Sequence, residues 1–331
     1  MGNKNTQYLI DQAQAVIEEI ITPQAIQRNM DASDVSLYVA RQLTYNRAKA
    51  IEKPNAPLEA FDVFTVSTDI PAGAETAMQK IYSQVGMAKI VSNPADDIPL
   101  ADVYAEEVPV KVYTVASGYS YSVQDIINSA FAREDLPSRK AQASALAIDR
   151  KINDIAWNGS PEHNIKGFLD NENVASYSVL ADGTGNVTKL SAKTPAKIYR
   201  DINAIIDSVS TSTKGNVIPD TMLFSPDIYN LLSETIFVDD AGNAKTQTVL
   251  ELIKANHPEI TSFKKIFALA DKGMVIVGAF NSDEYAKLEI PQRFSQEPVQ
   301  RNNLELKVPA WGRVVGVTVN YPLAFTKATG L

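Results

Sequence analysis

The chain has 331 residues, enough for two cores of roughly 150 residues each. It is 45% hydrophobic and 21% charged, which is ordinary for a globular protein that builds its own core. The absence of cysteine excludes disulfides, thiolate zinc sites and cysteine nucleophiles, and it fits synthesis in a reducing cytoplasm. A net charge of −8 argues against a dedicated nucleic-acid binder, which would carry a concentrated basic patch.

The sequence predicts neither a membrane span nor a secretory signal. Its longest dense apolar stretch, residues 274–280, is far shorter than the roughly 20 residues that cross a bilayer. The N-terminus lacks the basic and apolar regions of a signal peptide. The first six residues match the loose N-myristoylation pattern, which we interpret as a chance match.

The sequence of the N-terminal part of the chain predicts helices but no core of its own. Apolar residues at three- and four-residue steps predict this helix over residues 8–21, and Pro23 ends it. Residues 24–57 are polar and rich in proline, with a second helical pattern at residues 35–51. We expect this segment to lie against other structure, because it has too little apolar surface for a core.

From residue 61 the pattern changes to strand. Residues 61–66 (FDVFTV) are aromatic and β-branched, which predicts a first strand. Two longer strand-like stretches follow at residues 75–91 and 103–117, and the turn-rich residues 92–99 separate them. The sequence therefore predicts a long hairpin that projects from the body.

The second stretch of this hairpin has one modestly apolar face. Val108, Val110 and Val112 share that face, while Pro109 and Lys111 share the other. The proline implies an edge position, because it cannot donate a hydrogen bond to a strand ladder.

Two helices are predicted after the hairpin. Ser122 and Asp125 form a capping-box pattern that begins a short helix ending near residue 132. Pro137 lies in the first turn of a second helix that runs to about residue 157 and spans roughly 30 Å. Apolar residues at four- and three-residue steps predict a buried stripe on this helix, formed by Ala141, Ala145, Ile148, Ile152 and Ile155.

The C-terminal half mixes helices and strands, which together with the hairpin gives an α+β fold class. Helices are predicted at residues 195–210, after Pro226 with Ser225 as its cap, and near 246–256. Strands are predicted at residues 221–224, 274–279, 286–290, 304–308 and 315–319.

Catalytic chemistry has few candidates in this sequence. It contains no phosphate-binding loop, no dinucleotide fingerprint, no HExxH and no GxSxG motif. The two histidines, His163 and His257, fall in a polar loop and at a helix end, and we interpret both as surface residues. Residues 170–173 (DNEN) begin like a calcium loop but lack its glycine and final glutamate. We therefore predict no catalytic residue, no cofactor and no metal.

Three groups of segments carry a resemblance to a known family. They are residues 61–67 (FDVFTVS) with 85–90 (VGMAKI), residues 147–159 (AIDRKINDIAWNG) with 167–169 (GFL), and residues 312–317 (GRVVGV) with 321–325 (YPLAF). In this order they resemble the Hong Kong 97-type fold of tailed-phage major capsid proteins, over about residues 60–331. The resemblance implies an N-terminal arm, an extended E-loop hairpin, a peripheral domain with a spine helix, and an axial domain.

On this resemblance the chain divides into six segments. They are the N-arm at 1–59, the E-loop with flanking strands at 60–121, the peripheral domain with the spine helix at 122–193, the axial domain at 194–283, the peripheral return strands at 284–310 and the closing axial strand at 311–331. Residues 1–59 match weakly, and no scaffolding-like extension precedes them, so we expect any scaffold to be a separate protein.

The resemblance implies the major capsid protein of a tailed double-stranded DNA bacteriophage, made in the bacterial host cytoplasm and located in the virion capsid. Its copies would assemble through pentamers and hexamers into an icosahedral shell that encloses DNA without sequence-specific binding. The implied partners are further copies of the chain and separate scaffolding and portal proteins, with or without a decoration protein. No membrane is implied.

A projecting hairpin has open edges that invite other chains, so we expect it to pack on a neighbouring subunit. The hypothesised contact residues are Val108, Val110, Val112, Asp96 and Asp97. Residues 60–121 carry eight acids against three bases, and residues 286–331 carry three acids against six bases. Opposite charges on these two regions would attract one subunit to the next. The same charges would also be found on two solvated faces that bind no partner.

Two other interpretations stay open at this point. An encapsulin-like nanocompartment has the same fold and would hold cargo enzymes in place of a genome. The second interpretation is a hydrolase or transferase with an α/β core at residues 190–283. The scarcity of histidine and of catalytic motifs argues against it. The capsid family also includes subunits cross-linked by Lys–Asn isopeptide bonds; Lys80 and Lys89 lie in the hairpin, but no motif marks them.

Overall fold

A computed structural model describes residues 54–90, 100–132, 135–183, 185, 187–239, 241–270 and 272–331. The predicted helices at 8–21 and 35–51 and the hairpin tip at 92–99, with Asp96 and Asp97, lie outside these residues. Residues 57–331 form one structural unit by their contacts.

The described residues contain six α-helices and twenty short or medium strands. The helices are α1 Glu59–Val63, α2 Val123–Ala132, α3 Leu136–Asn158, α4 Pro195–Ser212, α5 Pro226–Glu234 and α6 Val249–Asn256. The strands are β1 Thr65–Ser67, β2 Thr76–Val85, β3 Asp102–Lys111, β4 Tyr113–Ala116, β5 Tyr119–Ser122, β6 Gly159–Ser160, β7 Ile165–Lys166, β8 Ala175–Tyr177, β9 Thr221–Phe224, β10 Ile236–Val238, β11 Ala244–Thr248, β12 Ser262–Lys265, β13 Val275–Gly278, β14 Ala286–Glu289, β15 Gln292–Gln296, β16 Gln300–Asn302, β17 Glu305–Val308, β18 Ala310–Val314, β19 Gly316–Val319 and β20 Phe325–Ala328.

A five-stranded mixed sheet, in the order β12-β9-β13-β20-β8, forms the centre of the unit. β9 pairs parallel with β12 and antiparallel with β13, while β20 pairs antiparallel with β13 and parallel with β8. All four residues of β9, β13 and β20 are buried, because the central strands are covered on both faces. α4 contacts this sheet with an apolar side, on which Ile202 and Ile205 are fully buried.

An aromatic cluster links the long helix to the central sheet. Phe64 lies between Trp157 and Phe168, with ring centroids 5.3 and 5.1 Å apart, and Phe280 and Phe325 are 4.9 Å apart behind them. All five rings are almost completely buried. Tilted and edge-on ring pairs at these distances add to the stabilisation from burial alone.

The prediction of a strand over residues 61–66 is wrong for its first half. Residues 59–63 form helix α1, and only Thr65–Ser67 enter a sheet, parallel to β14. Tertiary contacts override the local β-propensity here. The buried Glu59 carboxylate accepts the Phe267 and Ala268 amides at 2.7 and 3.0 Å, and the helical turn places the Phe64 ring in the aromatic cluster.

Helix α3 confirms the predicted spine in its bounds, with Asp135 accepting the Ser138 amide at its N-terminus. Its buried stripe is confirmed at Ile148, Ile152 and Ile155. In the first half, however, Ser144 is the buried residue, and the predicted Ala141 and Ala145 are only half-buried. The reason is the segment carrying β4 and β5, which contacts this part of the helix. The Ser144 hydroxyl donates to the Ser117 carbonyl within that segment.

The turn after the spine depends on two glycines that approach each other closely. Gly159 has φ 72°, a left-handed conformation that strains other residues. A Cβ on Gly167 would lie 2.3 Å from the Gly159 nitrogen, so any side chain there would clash. The chain can thus return along the helix end, where the Phe168 amide donates to Ala156 O at 2.9 Å.

Two further predictions need correction at helix starts. Ser225 precedes α5 as predicted, but its hydroxyl is buried without a hydrogen-bond partner, so it does not cap the helix. The helix predicted near 246–256 begins at Val249, because residues 244–248 pair as β11 with β10. Thr248 and Glu251 form the capping box of α6.

Candidate functional site: the hairpin arm and its root

The hairpin of β2 and β3, which we call the arm (residues 76–90 and 100–111), is almost wholly exposed. Its strands pair antiparallel without a bulge, from Thr76 opposite Lys111 to Val85 opposite Asp102. Ten residues at a rise of about 3.3 Å give a ladder on the order of 33 Å long. Every strand residue is exposed or half-buried, and the half-buried ones, Ala77, Gln79 and Val110, lie at the base.

The arm is unusually apolar for an exposed structure. Of the twenty large hydrophobic side chains that are exposed in the described residues, ten lie on the arm: Met78, Ile81, Tyr82, Val85, Met87, Ile90, Leu100, Val103, Tyr104 and Val108. Scattered exposed hydrophobic residues are normal, but such a concentration typically marks an interaction surface.

Both faces of the arm carry apolar side chains. Residues directly opposite in the register share a face, so Met78, Tyr82 and Val103 lie on one face, together with the Lys80–Glu107 ion pair at 3.2 Å. Ile81, Val85, Tyr104 and Val108 lie on the other. Only one of these apolar faces was predicted from the sequence, the face of Val108 and Val110. Tyr82, which pairs with Ala105, would have indicated the other face.

The predicted contact residues differ in how exposed they are and in where they lie along the arm. Val108 is 38% exposed, Val110 is half-buried, and Val112 lies beyond β3 with 9% of its surface exposed. The Val112 amide donates to Glu75 O at 2.9 Å, which closes the base of the arm. Asp96 and Asp97 lie outside the described residues. An inter-subunit role for these five residues stays a prediction.

The root of the arm is fastened to the body by side chains. Gln79 Nε2 donates to Asn320 Oδ1 at 2.6 Å, and the Tyr113 hydroxyl donates to His163 O at 2.6 Å. The Arg313 guanidinium donates to Ala72 O in the segment that leads into β2. These bonds fix the direction in which the arm leaves the body.

A groove of about 400 Å³ lies beside the root, between β3, β7 and β19. Its walls are mainly branched aliphatic side chains, among them Val108, Val110, Ile165, Val317 and Val319. Lys111 and Lys166 lie at its rim with His163, and no acidic residue lines it.

A buried charge cluster holds the loop before α4 against that helix. The Lys193 side chain is fully buried, with Nζ 2.5 Å from Asp201 Oδ2 and 2.6 Å from Leu180 O. Arg200 donates to Asp182 at 2.8 Å and to Asp201 at 2.7 Å. Hydrogen bonds from Arg200 hold the pKa of Asp182 down at about 2. This cluster is satisfied internally and fastens the loop.

Neither histidine forms a catalytic triad in the described part of the chain. His163 is exposed, with Nδ1 3.0 Å from Ser160 Oγ and its ring against Tyr113. His257 ends α6, where Nδ1 lies 2.7 Å from Glu259 and Nε2 lies 3.0 Å from Asn203 Oδ1. Among the described residues, no group of three or more acidic or histidine side chains could hold a metal ion.

The described helices include none that combines the length and apolar character needed to cross a bilayer.

A central mixed sheet, a spine helix and a projecting hairpin with both faces apolar together define a capsid-type subunit, and the predicted Hong Kong 97-type fold is confirmed. The model of the major capsid protein family matches residues 86–331. The chain belongs to this family of structural proteins.

Solved capsids show the same fold at low sequence identity. A chain from the capsid of Myoviridae phage XM1 is 17% identical, with a TM-score of 0.71 over 88% of this chain and 98% of that one. A chain from the capsid of an empty GTA particle is 12% identical, with a TM-score of 0.61 over 90% and 97%. A chain from Mycobacterium phage Adephagia is 13% identical, with a TM-score of 0.58 over 88% and 92%. No curated protein matches the chain.

Proposed function

We propose that this chain is the major capsid protein of a tailed double-stranded DNA bacteriophage, and that its copies assemble through pentamers and hexamers into an icosahedral shell around the genome. Membership of the capsid family supports the class. The observation that carries the assembly role is the arm, which holds half of the large hydrophobic side chains that are exposed in the described part of the chain.

The arm contributes to assembly more than to folding. A two-stranded ribbon is marginally stable alone in water, and its apolar faces gain most when another chain covers them. In a closed symmetric shell the same contact recurs at every subunit, so a modest contact is multiplied.

The net charge of −8 supports a shell that encloses DNA without gripping it, because affinity for nucleic acid depends mainly on basic contacts to phosphate. We further propose that the protein is made in the bacterial cytoplasm and has no catalytic activity. Separate scaffolding and portal proteins, with or without a decoration protein, complete its set of partners.

Electron microscopy of the purified full-length protein tests the class. We expect large closed particles, or capsomers that close when a scaffolding protein from the same phage is added. Small oligomers that never close under either condition contradict the proposal. Particles isolated from the host should contain DNA; particles that contain a defined cargo enzyme and no DNA would indicate a nanocompartment.

Shortening the arm tests its role. Because Val85 pairs with Asp102, residues 86–101 can be replaced by Asn-Gly, a dipeptide suited to a two-residue hairpin turn. We expect an unchanged melting midpoint and few closed particles by sedimentation velocity. Unfolding would assign the segment to the subunit's own core, and normal particle yield would show that the arm is dispensable.

A further inference from the structure

The last turn of the spine helix carries a dipeptide with an intrinsic chemical reactivity. α3 ends at Asn158, and Gly159 follows; this is the only Asn–Gly pair in the sequence. The carboxamide of an asparagine can be attacked by the backbone nitrogen of the next residue, and a glycine there leaves the attack unhindered because it has no side chain. The Asn158 side chain is exposed, so water reaches it in the free subunit.

The fold does not allow another residue at position 159. Gly159 has a φ of 72°, and a Cβ there would lie 2.3 Å from Ile165 O and 2.4 Å from Gly167 N. Both contacts are with backbone atoms, which cannot move aside as a flexible side chain can. The turn after the spine therefore imposes the reactive neighbour of Asn158.

In the folded subunit the backbone keeps the attacking nitrogen from the carboxamide. The Gly159 N–H donates to Ile155 O, which continues the helical hydrogen bonding of α3. The Gly159 nitrogen also lies so close to Gly167 that a Cβ on Gly167 would be 2.3 Å from it, which limits the access of a base to this N–H. In a helix the Cα–Cβ bond tilts toward the N-terminus, and this directs the Asn158 carboxamide away from the next backbone nitrogen.

Two side chains hold the carboxamide in this position. Asn158 Nδ2 donates to Asp154 Oδ1 at 3.0 Å, one turn earlier on the helix. Asn158 Oδ1 accepts a hydrogen bond from Lys272 Nζ at 3.2 Å, from the segment before β13. Attack by the Gly159 nitrogen requires the carboxamide to rotate toward it, and this rotation breaks both bonds.

We propose that Asn158 is a site of spontaneous deamidation that is closed while the last turn of the spine is formed and opens when that turn unwinds. In the reaction the Gly159 nitrogen loses its proton and bonds to Asn158 Cγ, the Cγ–Nδ2 bond breaks, and the nitrogen leaves as ammonia. Water then adds to a carbonyl of the cyclic imide and opens it to aspartate or isoaspartate. The chain gains a water and loses an ammonia, and no oxidant or metal takes part.

Both products disfavour closing of the turn. Aspartate at position 158 places a carboxylate beside Asp154 and at the negative end of the helix, and both interactions are unfavourable. An exposed ion pair with Lys272 offsets only part of this cost. Isoaspartate lengthens the backbone at a turn in which Gly159 and Gly167 leave no room for a Cβ. The reaction is therefore a permanent mark on subunits whose spine end has opened.

Peptide mass spectrometry of the full chain tests the proposal. The free subunit and the same protein in denaturant are incubated at mildly alkaline pH and digested, and the conversion of Asn158 is followed with time. We expect deamidation to be at least about a hundredfold faster in denaturant, because opening of the turn then costs no free energy. Asn281, which precedes Ser282 in an exposed bend, is the internal control and should differ far less between the two states. Equal rates at Asn158 in the two states, or no reaction in denaturant, overturn the proposal.

Asp154→Ala tests the hold on the carboxamide. Loss of the hydrogen bond to Asn158 should raise the deamidation rate of the folded subunit by about threefold. Lys151→Ala is the matched control, because Lys151 binds the other oxygen of the same carboxylate, and its rate should equal that of the parent. The melting midpoints of both variants are measured to show that the fold is intact. An unchanged rate in Asp154→Ala overturns the part of the proposal that assigns protection to side chains.

Asn158→Asp reproduces one product and tests the permanent mark. It should lower the melting midpoint by about 2 °C, and adding Asp154→Ala should restore most of the loss, because the repulsion between the two carboxylates is then removed. A midpoint at or above that of the parent would show that the ion pair with Lys272 prevails and would contradict the mark. All of these measurements concern the free subunit, so their outcome does not depend on whether the protein forms a shell.

Discussion

The arm and the spine helix are both long, regular elements, but they use their apolar residues in opposite ways. α3 buries Ile148, Ile152 and Ile155 within its own subunit, whereas the arm leaves Tyr82 and Tyr104 66% and 61% exposed. Hydrophobic burial that is complete before assembly stabilises the fold, and burial that is postponed can drive association. Exposure in the free subunit therefore separates folding residues from assembly residues better than hydrophobicity does.

The largest expected effect is on the spine. Ile148→Asp would bury an unpaired carboxylate at a position that is fully buried and should lower the free energy of unfolding by about 4 kcal/mol or more. Thermal unfolding and solubility measure this. Ala147→Asp, at the exposed neighbouring position on the same helix, is the control and should fold normally. Soluble, assembled Ile148→Asp particles would exclude the buried stripe.

The aromatic cluster should show the next largest effect. Phe64→Ala removes a ring that contacts Trp157 and Phe168, and such a substitution typically lowers the free energy of unfolding by about 3–5 kcal/mol. Denaturant unfolding of the unassembled subunit measures it. Phe131→Ala, at a ring that is 93% exposed, should change stability little. Equal effects of the two changes would contradict the assignment of Phe64 to the core.

The charge cluster should give a smaller, pH-dependent effect. The pKa of Asp182 falls from 3.8 to about 2 because Arg200 binds its charged form. The stabilisation is therefore present above the unfolded pKa and is lost as the pH falls through the folded pKa. The stability difference between the parent and Asp182→Asn should be constant above about pH 5 and shrink between about pH 4 and 2. A difference that persists at pH 2 would exclude this ion pair as its cause.

The arm should show the smallest effect on folding and a large one on assembly. Tyr82→Ser and Tyr104→Ser should each change the free energy of unfolding by no more than about 0.5 kcal/mol, because the rings are exposed in the free subunit. Particle yield should fall for the face that a neighbour covers. Leu180→Ser and Ile218→Ser, which remove comparably exposed side chains off the arm, serve as controls. Assembly at the parent level in both tyrosine variants would contradict a role of the arm's apolar faces in association.

The spacing of apolar residues correctly predicted the elements that bury a single continuous apolar side. The bounds of α3 and α4 and the strand at residues 221–224 are confirmed, because one continuous apolar side faces one core. The hairpin was also predictable, since a turn-rich segment separates two β-branched stretches and Pro109 marks an edge.

Where a distant residue decides the outcome, sequence patterns failed. Residues 59–63 are helical because the Glu59 carboxylate binds amides some two hundred positions away. Ser144 is buried because a strand segment crosses the helix and accepts its hydroxyl. The root groove was missed for the same reason, since its walls come from β3, β7 and β19. No local pattern carries that information.

Pro109, which pairs with Met78 within the arm, has a consequence for the protein before any shell exists. Its ring nitrogen carries no hydrogen, so the free edge of β3 lacks one of the donors that another strand would need to extend the ribbon. At high subunit concentration, complete strand edges with apolar faces tend to pair with one another and form fibres. The interrupted edge therefore disfavours the pairing of one arm with another through β3, while the apolar faces of the arm stay open to other surfaces.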